Sequence, residues 1–179
     1  MNRFTILGID QGLASCGYGI IQFKETKKGI VFEKVLDYGV IKTTTKNTTP
    51  ERLVYIHEKL TNLVDTYKPK AIACERLFYS SPGKGKRKKS ASIITTNMVT
   101  GLVVLVAGQK NLIFKDFVPS SVKKEITGNG RATKEEIIET IPTLLKIDEG
   151  VVKIEHQADA LSIAYTTGMR LNKEEDSDE

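Results

Sequence analysis

Tryptophan is absent from this 179-residue chain, and cysteine, histidine and proline are scarce at two, two and five residues. So few cysteines exclude a disulfide-stapled scaffold, and Cys16 and Cys74 lack the paired spacing of a zinc module. Each lies inside an apolar, strand-like run and reads as a small buried hydrophobe, which points to a reducing, cytoplasmic setting. Long apolar runs are missing as well. The longest, Leu102 to Ala107, falls far below the ~20 residues that cross a bilayer, so no membrane span is expected. MNRF leads straight into a strand-like segment without the apolar core of a secretory leader. There is no internal repeat, and a hydrophobic content of 40% argues for a packed core rather than wholesale disorder. The length suits one domain, expected over residues 1–171. The remaining residues, NKEEDSDE over 172–179, carry one lysine against five acids and read as a solvated, disordered tail. Without them, 26 basic and 17 acidic residues leave a body of +9, against +5 for the whole chain. That excess attracts polyanions, of which nucleic acid is the commonest, although a charge of this size also serves solubility alone.

What is present is organised around FTILGIDQGLASCGYGII, Phe4 to Ile21. Phe4, Ile6, Leu7 and Ile9 form a nearly continuous apolar run, the pattern of a strand buried on both faces, and it ends in Asp10. A carboxylate there is costly to desolvate without a cation or hydrogen bonds, although Asp-Gln-Gly is also good turn chemistry. A second apolar run, a turn over KETKKG and a third strand from Val31 to Ile41 complete an antiparallel meander. Thr49-Pro50-Glu51 predicts a helix start, with Thr49 as the capping hydroxyl. Leu53, Ile56, Leu60, Leu63, Val64 and Tyr67 then form one apolar stripe, and Lys68-Pro69 ends it. AIACE follows, a short buried strand that again finishes in an acid, Glu75. Parallel neighbours place such strand ends on one edge of a sheet, where open sheets carry their ligand sites. Two carboxylates brought together there repel each other and call for a cation.

Beyond Phe78, the segment SSPGKGKRKKS reads as a loop carrying Lys84, Lys86, Arg87, Lys88 and Lys89, either a solvated surface or a polyanion contact. Ser90 to Gly108 is read as a helix with the core on one side and a partner on the other, because a crossover is needed between parallel strands. Ile113 to Val118 is the last strand, and Pro119-Ser120-Ser121 opens a short helix ending near Thr127-Gly128. Thr133 with Glu136 makes a capping box for a helix that should kink or stop near Pro142. The final helix, Gln157 to Arg170, sets Ala158, Leu161 and Tyr165 on one face. His156 and Asp159, three apart at its start, can point at a common target. With Asp10 and Glu75 they form a four-ligand set suited to a divalent metal.

GIDQG, ACERLF, VKKEITGNGRATK and HQADALSIA occur in the order and at roughly the spacing seen in the RuvC-type Holliday-junction resolvases, and the chain resembles that family from about residue 3 to 170. The resemblance implies an α/β, ribonuclease-H-like fold: a mixed five-stranded sheet, its first three strands antiparallel, with helices on both faces. It implies that Asp10, Glu75 and Asp159 hold metal and that His156 occupies the fourth ligand position. It places Phe78 near the junction crossover, and Lys123 and Lys134 at the DNA backbone near the scissile phosphate. Gln11 stands where the family often has proline, a change expected to be without consequence. The basic loop over 82–90 is longer and richer in lysine than the family pattern, which weakens any transfer of cutting preference.

The implied activity is structure-selective endodeoxyribonuclease: paired, metal-dependent hydrolysis that resolves four-way DNA junctions in recombination and repair. Two Mg²⁺ ions per site are expected, with Mn²⁺ as a substitute that His156 favours. The near two-fold symmetry of a junction calls for a homodimer, with the Ser90–Gly108 helix as candidate contact. Whether a branch-migration complex is a partner stays open. The rivals are another ribonuclease-H-like nuclease acting on RNA, flaps or branched DNA; an actin-like ATPase or sugar-kinase half; and a junction-binding protein with a dead site. The second lacks its required second phosphate turn, and the complete ligand set weighs against the third.

Overall fold

The computed structural model describes residues 2–76, 87–148 and 155–171, with the side chains of 87–92 excepted. Strand β1 (Arg3–Asp10) lies at the centre of a five-stranded sheet of order β3-β2-β1-β4-β5. β2 (Ser15–Thr26) and β3 (Gly29–Lys42) pair with it in an antiparallel meander, while β4 (Ala71–Glu75) and β5 (Ile113–Phe117) extend it in parallel. Helices α1 (Thr49–Tyr67) and α2 (Arg87–Gln109) cover one face; α3 (Pro119–Thr127), α4 (Lys134–Leu145) and α5 (Glu155–Arg170) cover the other. This is the expected α/β, ribonuclease-H-like architecture.

The period of two along the strands assigns each side chain to a face. Phe4, Ile6, Ile21, Phe23, Ala71 and Ala73 pack under α3, α4 and α5, whereas Leu7, Ile9, Cys16, Ile20, Ile72 and Cys74 pack under α1 and α2. Cys16 and Cys74 are therefore buried thiols, and burial pushes both up to about 12, which makes them inert. Among the described residues, no helix is long and apolar enough to cross a membrane.

Helix starts follow capping chemistry, with three departures from the sequence reading, one of them in α5, which opens at Glu155 rather than Gln157. The α1 cap is Thr48 rather than Thr49, because Glu51 at the third helical position accepts from both the backbone N–H (2.7 Å) and the hydroxyl (2.8 Å) of Thr48. α2 begins at Arg87 rather than Ser90: Gly85 is the last breaker, and Arg and Lys are good helix formers. Its first turn thus takes in Arg87, Lys88 and Lys89, which were expected in the loop. The α4 capping box is as expected, with Thr133 N–H donating to Glu136 (2.6 Å) and Glu136 N–H donating to Thr133 Oγ1 (3.2 Å). Pro142 does not stop this helix, which runs on to Leu145. The proline costs one backbone bond near the end, and burial of Ile141 and Leu145 in the core holds the last turn in place.

α5 makes the closest helix–sheet contact of the fold. Gly8 of β1 faces Gly19 of β2, and both lie under this helix. A methyl group on Gly8 would collide with the Ala160 carbonyl oxygen and lie 2.5 Å from the Ala164 amide nitrogen. Both are backbone atoms of a packed helix, so the clash cannot be relieved by a rotamer change. Gly8→Ala is expected to destabilise the protein by about 2 kcal/mol or more. Urea titration followed by circular dichroism should show a lower midpoint at unchanged slope; an unchanged midpoint would mean that α5 can lift off the sheet without penalty.

Candidate active site

Asp10 continues the Phe4, Ile6, Gly8 parity of β1 and so faces α5 from the strand's C-terminal end. Glu75 continues Ala71 and Ala73 in the same way at the end of β4, and because β1 and β4 run parallel, both acids emerge on one edge. Directly opposite Asp10 in β2 stands Gly17. A side chain there would strike the His156 carbonyl oxygen, with the carbonyl carbon only 2.8 Å away, so this glycine lets the first turn of α5 settle beside Asp10. His156 Nδ1 then lies 2.5 Å from Asp10 Oδ2.

These groups line a cleft of about 360 Å³ together with Asp159, Glu155, Lys123, Lys134 and Ser162, walled by Pro119, Val122 and Ile137. All four acids and ligands expected from the sequence are brought into it. Lys123 and Lys134 reach it too: Lys123 Nζ donates to the Ala132 carbonyl (2.5 Å), and Lys134 pairs with Glu155. Phe78, Lys84 and Lys86 lie outside the described residues, as do the side chains of Arg87, Lys88 and Lys89. The acidic tail over 172–179 also lies outside them.

Electrostatics identify what the cleft needs. Burial, with Asp159 and Asp10 nearby, pushes Glu75 up to about 7. Burial, with Asp10 and Glu155, pushes Asp159 up to about 6. Asp10 is also raised by burial, although its bond to His156 pulls the other way. Carboxylates raised by one another lack positive charge, and either protons or a cation can supply it. Among the described residues no three His, Cys, Asp or Glu side chains are already gathered tightly enough to hold an ion. The donor chemistry nonetheless fits a hard divalent cation: three oxygen-donor side chains and one imidazole around one cleft, with their negative charge under-compensated.

Two participants were underrated in the sequence. Gln11 is buried, and its side chain bonds both backbone groups of Glu75, so its presence in place of proline is not idle. The signal available was a long polar side chain directly after a strand-end acid. Glu155 lines the cleft from the first turn of α5, where an acid would ordinarily count as dipole compensation.

A mixed sheet of this order, carrying paired acids at its parallel strand ends and a third on the last helix, defines a ribonuclease-H-like nuclease. The family model described as crossover junction endodeoxyribonuclease RuvC matches residues 6–167, and the chain belongs to that family. It is 38% identical over 159 residues to the crossover junction endodeoxyribonuclease RuvC of Caldicellulosiruptor saccharolyticus, covering 89% of each chain. It is 36% identical over 164 residues to that of Petrotoga mobilis, covering 92% of this chain and 93% of the relative. In fold it is similar to T. thermophilus RuvC in complex with Holliday junction substrate, with TM-score 0.80, 24% identity, and coverage of 95% of this chain and 96% of that one.

The raised Glu75 gives a pH dependence with a definite sign. Between its ordinary value of 4.5 and about 7, the folded protein holds a proton that the unfolded chain has released. Cation-free stability contributed by this group is therefore full below pH ~4.5 and is lost as pH rises toward 7. Glu75→Gln removes the titration. In chelator, the variant should match the parent near pH 5 and exceed it by about 1–2 kcal/mol at pH 8, a figure already reduced for partial solvent screening. Urea titrations at both pH values check this, and a gap that does not widen with pH would refute it.

Proposed function

We propose that this chain resolves four-way DNA junctions as a homodimer, each protomer hydrolysing one phosphodiester with divalent metal held by Asp10, Glu75, His156 and Asp159. As a member of the RuvC family it is a crossover junction endodeoxyribonuclease acting in DNA recombination and repair, and the family's nucleases are metal-dependent. The observation that carries the reading for this chain is the cleft itself: three carboxylates raised first by burial and then by neighbouring acids, lining one cleft with an imidazole and two lysines, inside the span that the family model matches.

Asp10, Glu75, His156 and Asp159 would hold Mg²⁺ or Mn²⁺, which would supply Lewis-acid activation of water and charge neutralisation at the scissile phosphate. The chain's own groups do the rest. Asp10, Glu75 and Asp159 provide hard oxygen donors, and the imidazole on Asp10 holds that carboxylate in place. Lys123 and Lys134 stand at the cleft mouth as phosphate partners. Pro119, Val122 and Ile137 keep one wall dry, which strengthens every charge interaction inside.

A junction needs two matched cuts, and α2 offers the surface for a second copy. Ile94, Met98, Val104 and Leu105 are 56%, 42%, 46% and 49% exposed on this one helix, a density of apolar exposure that a monomer has no use for. The basic residues before and within the start of α2, Lys84 to Lys89, fit DNA arms leaving the crossover, with Phe78 beside it. We read residues 1–171 as a single nuclease domain and place the protein with its DNA in the cytoplasm. A branch-migration complex as further partner is compatible with this reading and is not required by it.

Three experiments test the proposal. Asp10→Asn should lower cleavage of a labelled junction by about a thousandfold or more, with binding unchanged or tighter, because affinity comes from lysines meeting phosphates and the substitution removes a negative charge. A panel of junction, flap, RNA–DNA hybrid and duplex, in Mg²⁺ and Mn²⁺, should show cutting of the junction above the others. Parallel loss of binding and cutting in Asp10→Asn would sink the metal assignment. Leu105→Glu should leave the fold intact while converting the dimer to monomer in sedimentation and uncoupling the two cuts; a stable dimer would move the interface off α2.

A further inference from the structure

We infer that Gln11 is a positioning residue for Glu75, its carboxamide supplying the donor that the β1 backbone does not offer to the Glu75 carbonyl. The inference rests on the reading of Glu75 as a holder of the cation. The backbone ladder between β1 and β4 ends at Ile9 opposite Cys74. Beyond it the chain turns away toward β2 so tightly that a side chain at Gly12 would strike the Ser15 carbonyl oxygen. On the β1 side the last ladder acceptor, the Ile9 carbonyl, faces the Glu75 N–H, and the Glu75 carbonyl is left without a ladder donor. Its β5 side cannot help, because residues in a parallel ladder bond alternately left and right, and there the bond is made by Arg76 N–H to the Phe117 carbonyl (2.8 Å).

Gln11 closes this gap. Its Nε2 donates to the Glu75 carbonyl at 2.7 Å, and its Oε1 accepts from the Glu75 N–H at 3.2 Å. The side chain is buried, at 6% exposure, which is uncommon for glutamine unless it is bonded. A turn residue has no need of such a pair. Only a primary amide of this length offers one donor and one acceptor in the spacing of a peptide group. Glutamate offers two acceptors, asparagine is one methylene short, and proline offers neither group. The outcome is that the end of β4 is held on both sides, at Glu75 by Gln11 and at Arg76 by Phe117, with the Glu75 carboxylate kept on the cleft face level with Asp10. Cleavage chemistry is sensitive to this, since misplacing a group by about 1 Å can cost a hundredfold in rate.

The test uses Gln11→Met, which keeps length and volume but removes donor and acceptor. Hydrogen exchange of the Glu75 amide in cation-free protein reads the bond directly, Mn²⁺ titration followed by electron paramagnetic resonance reads the ligand set, and steady-state cleavage reads the chemistry. In the parent, the Glu75 amide should be protected like that of Cys74. In the variant it should exchange at least tenfold faster, Mn²⁺ should bind several-fold more weakly, and kcat should fall roughly tenfold while KM for the junction stays within twofold. Faster exchange with unchanged Mn²⁺ affinity and kcat would overturn the proposal, leaving Gln11 as a strand-end closure. So would a Glu75 amide that exchanges like an open loop in the parent, a measurement that holds even if the variant does not fold. If the parent binds Mn²⁺ and the variant binds it more weakly, but neither cuts junctions, the functional reading fails while the role of Gln11 stands.

Discussion

The structure depends on how closely α5 lies against the backbone of β1 and β2. A helix normally rests on a sheet through a layer of side chains, about 10 Å from it. Here Gly8, Gly17 and Gly19 remove that layer along one line, so Ala160, Leu161 and His156 of the helix meet strand backbone almost directly. The line leads to the carboxyl edge of the sheet, and its last step is Gly17 beside Asp10. An acid on the helix's first turn can therefore share a cleft with acids that end two strands. Moving α5 outward by the width of one methyl group would separate Asp159 and His156 from Asp10 and leave the core merely looser. The same packing thus bears on stability, by the ~2 kcal/mol or more expected for Gly8→Ala, and on the geometry of the cleft.

That proximity has an electrostatic cost which the fold does not cancel internally. The body of the protein carries a surplus of basic residues, yet burial first and neighbouring acids second raise Glu75 to about 7 and Asp159 to about 6, and the nearest lysines offset this only in part. Lys123 is directed by the Ala132 carbonyl, and Lys134 is engaged by Glu155. A site built only for stability would replace these acids by apolar residues, since under-compensated buried charge is unfavourable. Retaining three carboxylates that the two cleft lysines compensate only in part is the arrangement expected where the remaining charge arrives from solution as a metal ion.

Much of this was legible in the residues, and the exceptions have physical causes. Strand ends in Asp10 and Glu75 stood out because an acid terminating an apolar run conflicts with its surroundings. The stripe of α1 and the box at Thr133 follow local rules that need no tertiary knowledge. The α1 cap moved by one residue because Thr48 and Thr49 are equivalent until one sees which of them Glu51 reaches. α2 gained its basic first turn because Lys and Arg carry helix propensity as readily as they carry loop charge. Pro142 was overweighted: its penalty is local, while the burial of Ile141 and Leu145 comes from distant elements that no window of sequence contains. The glycine line was visible as residues and not as a line, since pairing Gly8 with Gly19 needs the register of the β1–β2 hairpin. Gln11 was visible as a long polar side chain after a strand-end acid, but its partner, 64 residues away, was not.

The two cleft lysines show why a weak interaction can be the useful one. The Lys134–Glu155 pair is substantially exposed on both sides, at 63% and 43%, and exposed pairs of this kind contribute about 0–1 kcal/mol. It adds little to stability, but it keeps a flexible four-carbon side chain from wandering and places its ammonium at the cleft. On the proposed reading, a phosphate entering the site would carry a full negative charge and several acceptor oxygens and so would compete with Glu155 on favourable terms. A stronger, buried pair would have to be broken at a cost of several kcal/mol before DNA could be held. Lys123 is arranged similarly, through a neutral carbonyl rather than an acid. The cleft is thus preorganised by interactions weak enough to be exchanged for substrate, while the contact that must not give way, α5 on the glycines of β1 and β2, is made of backbone.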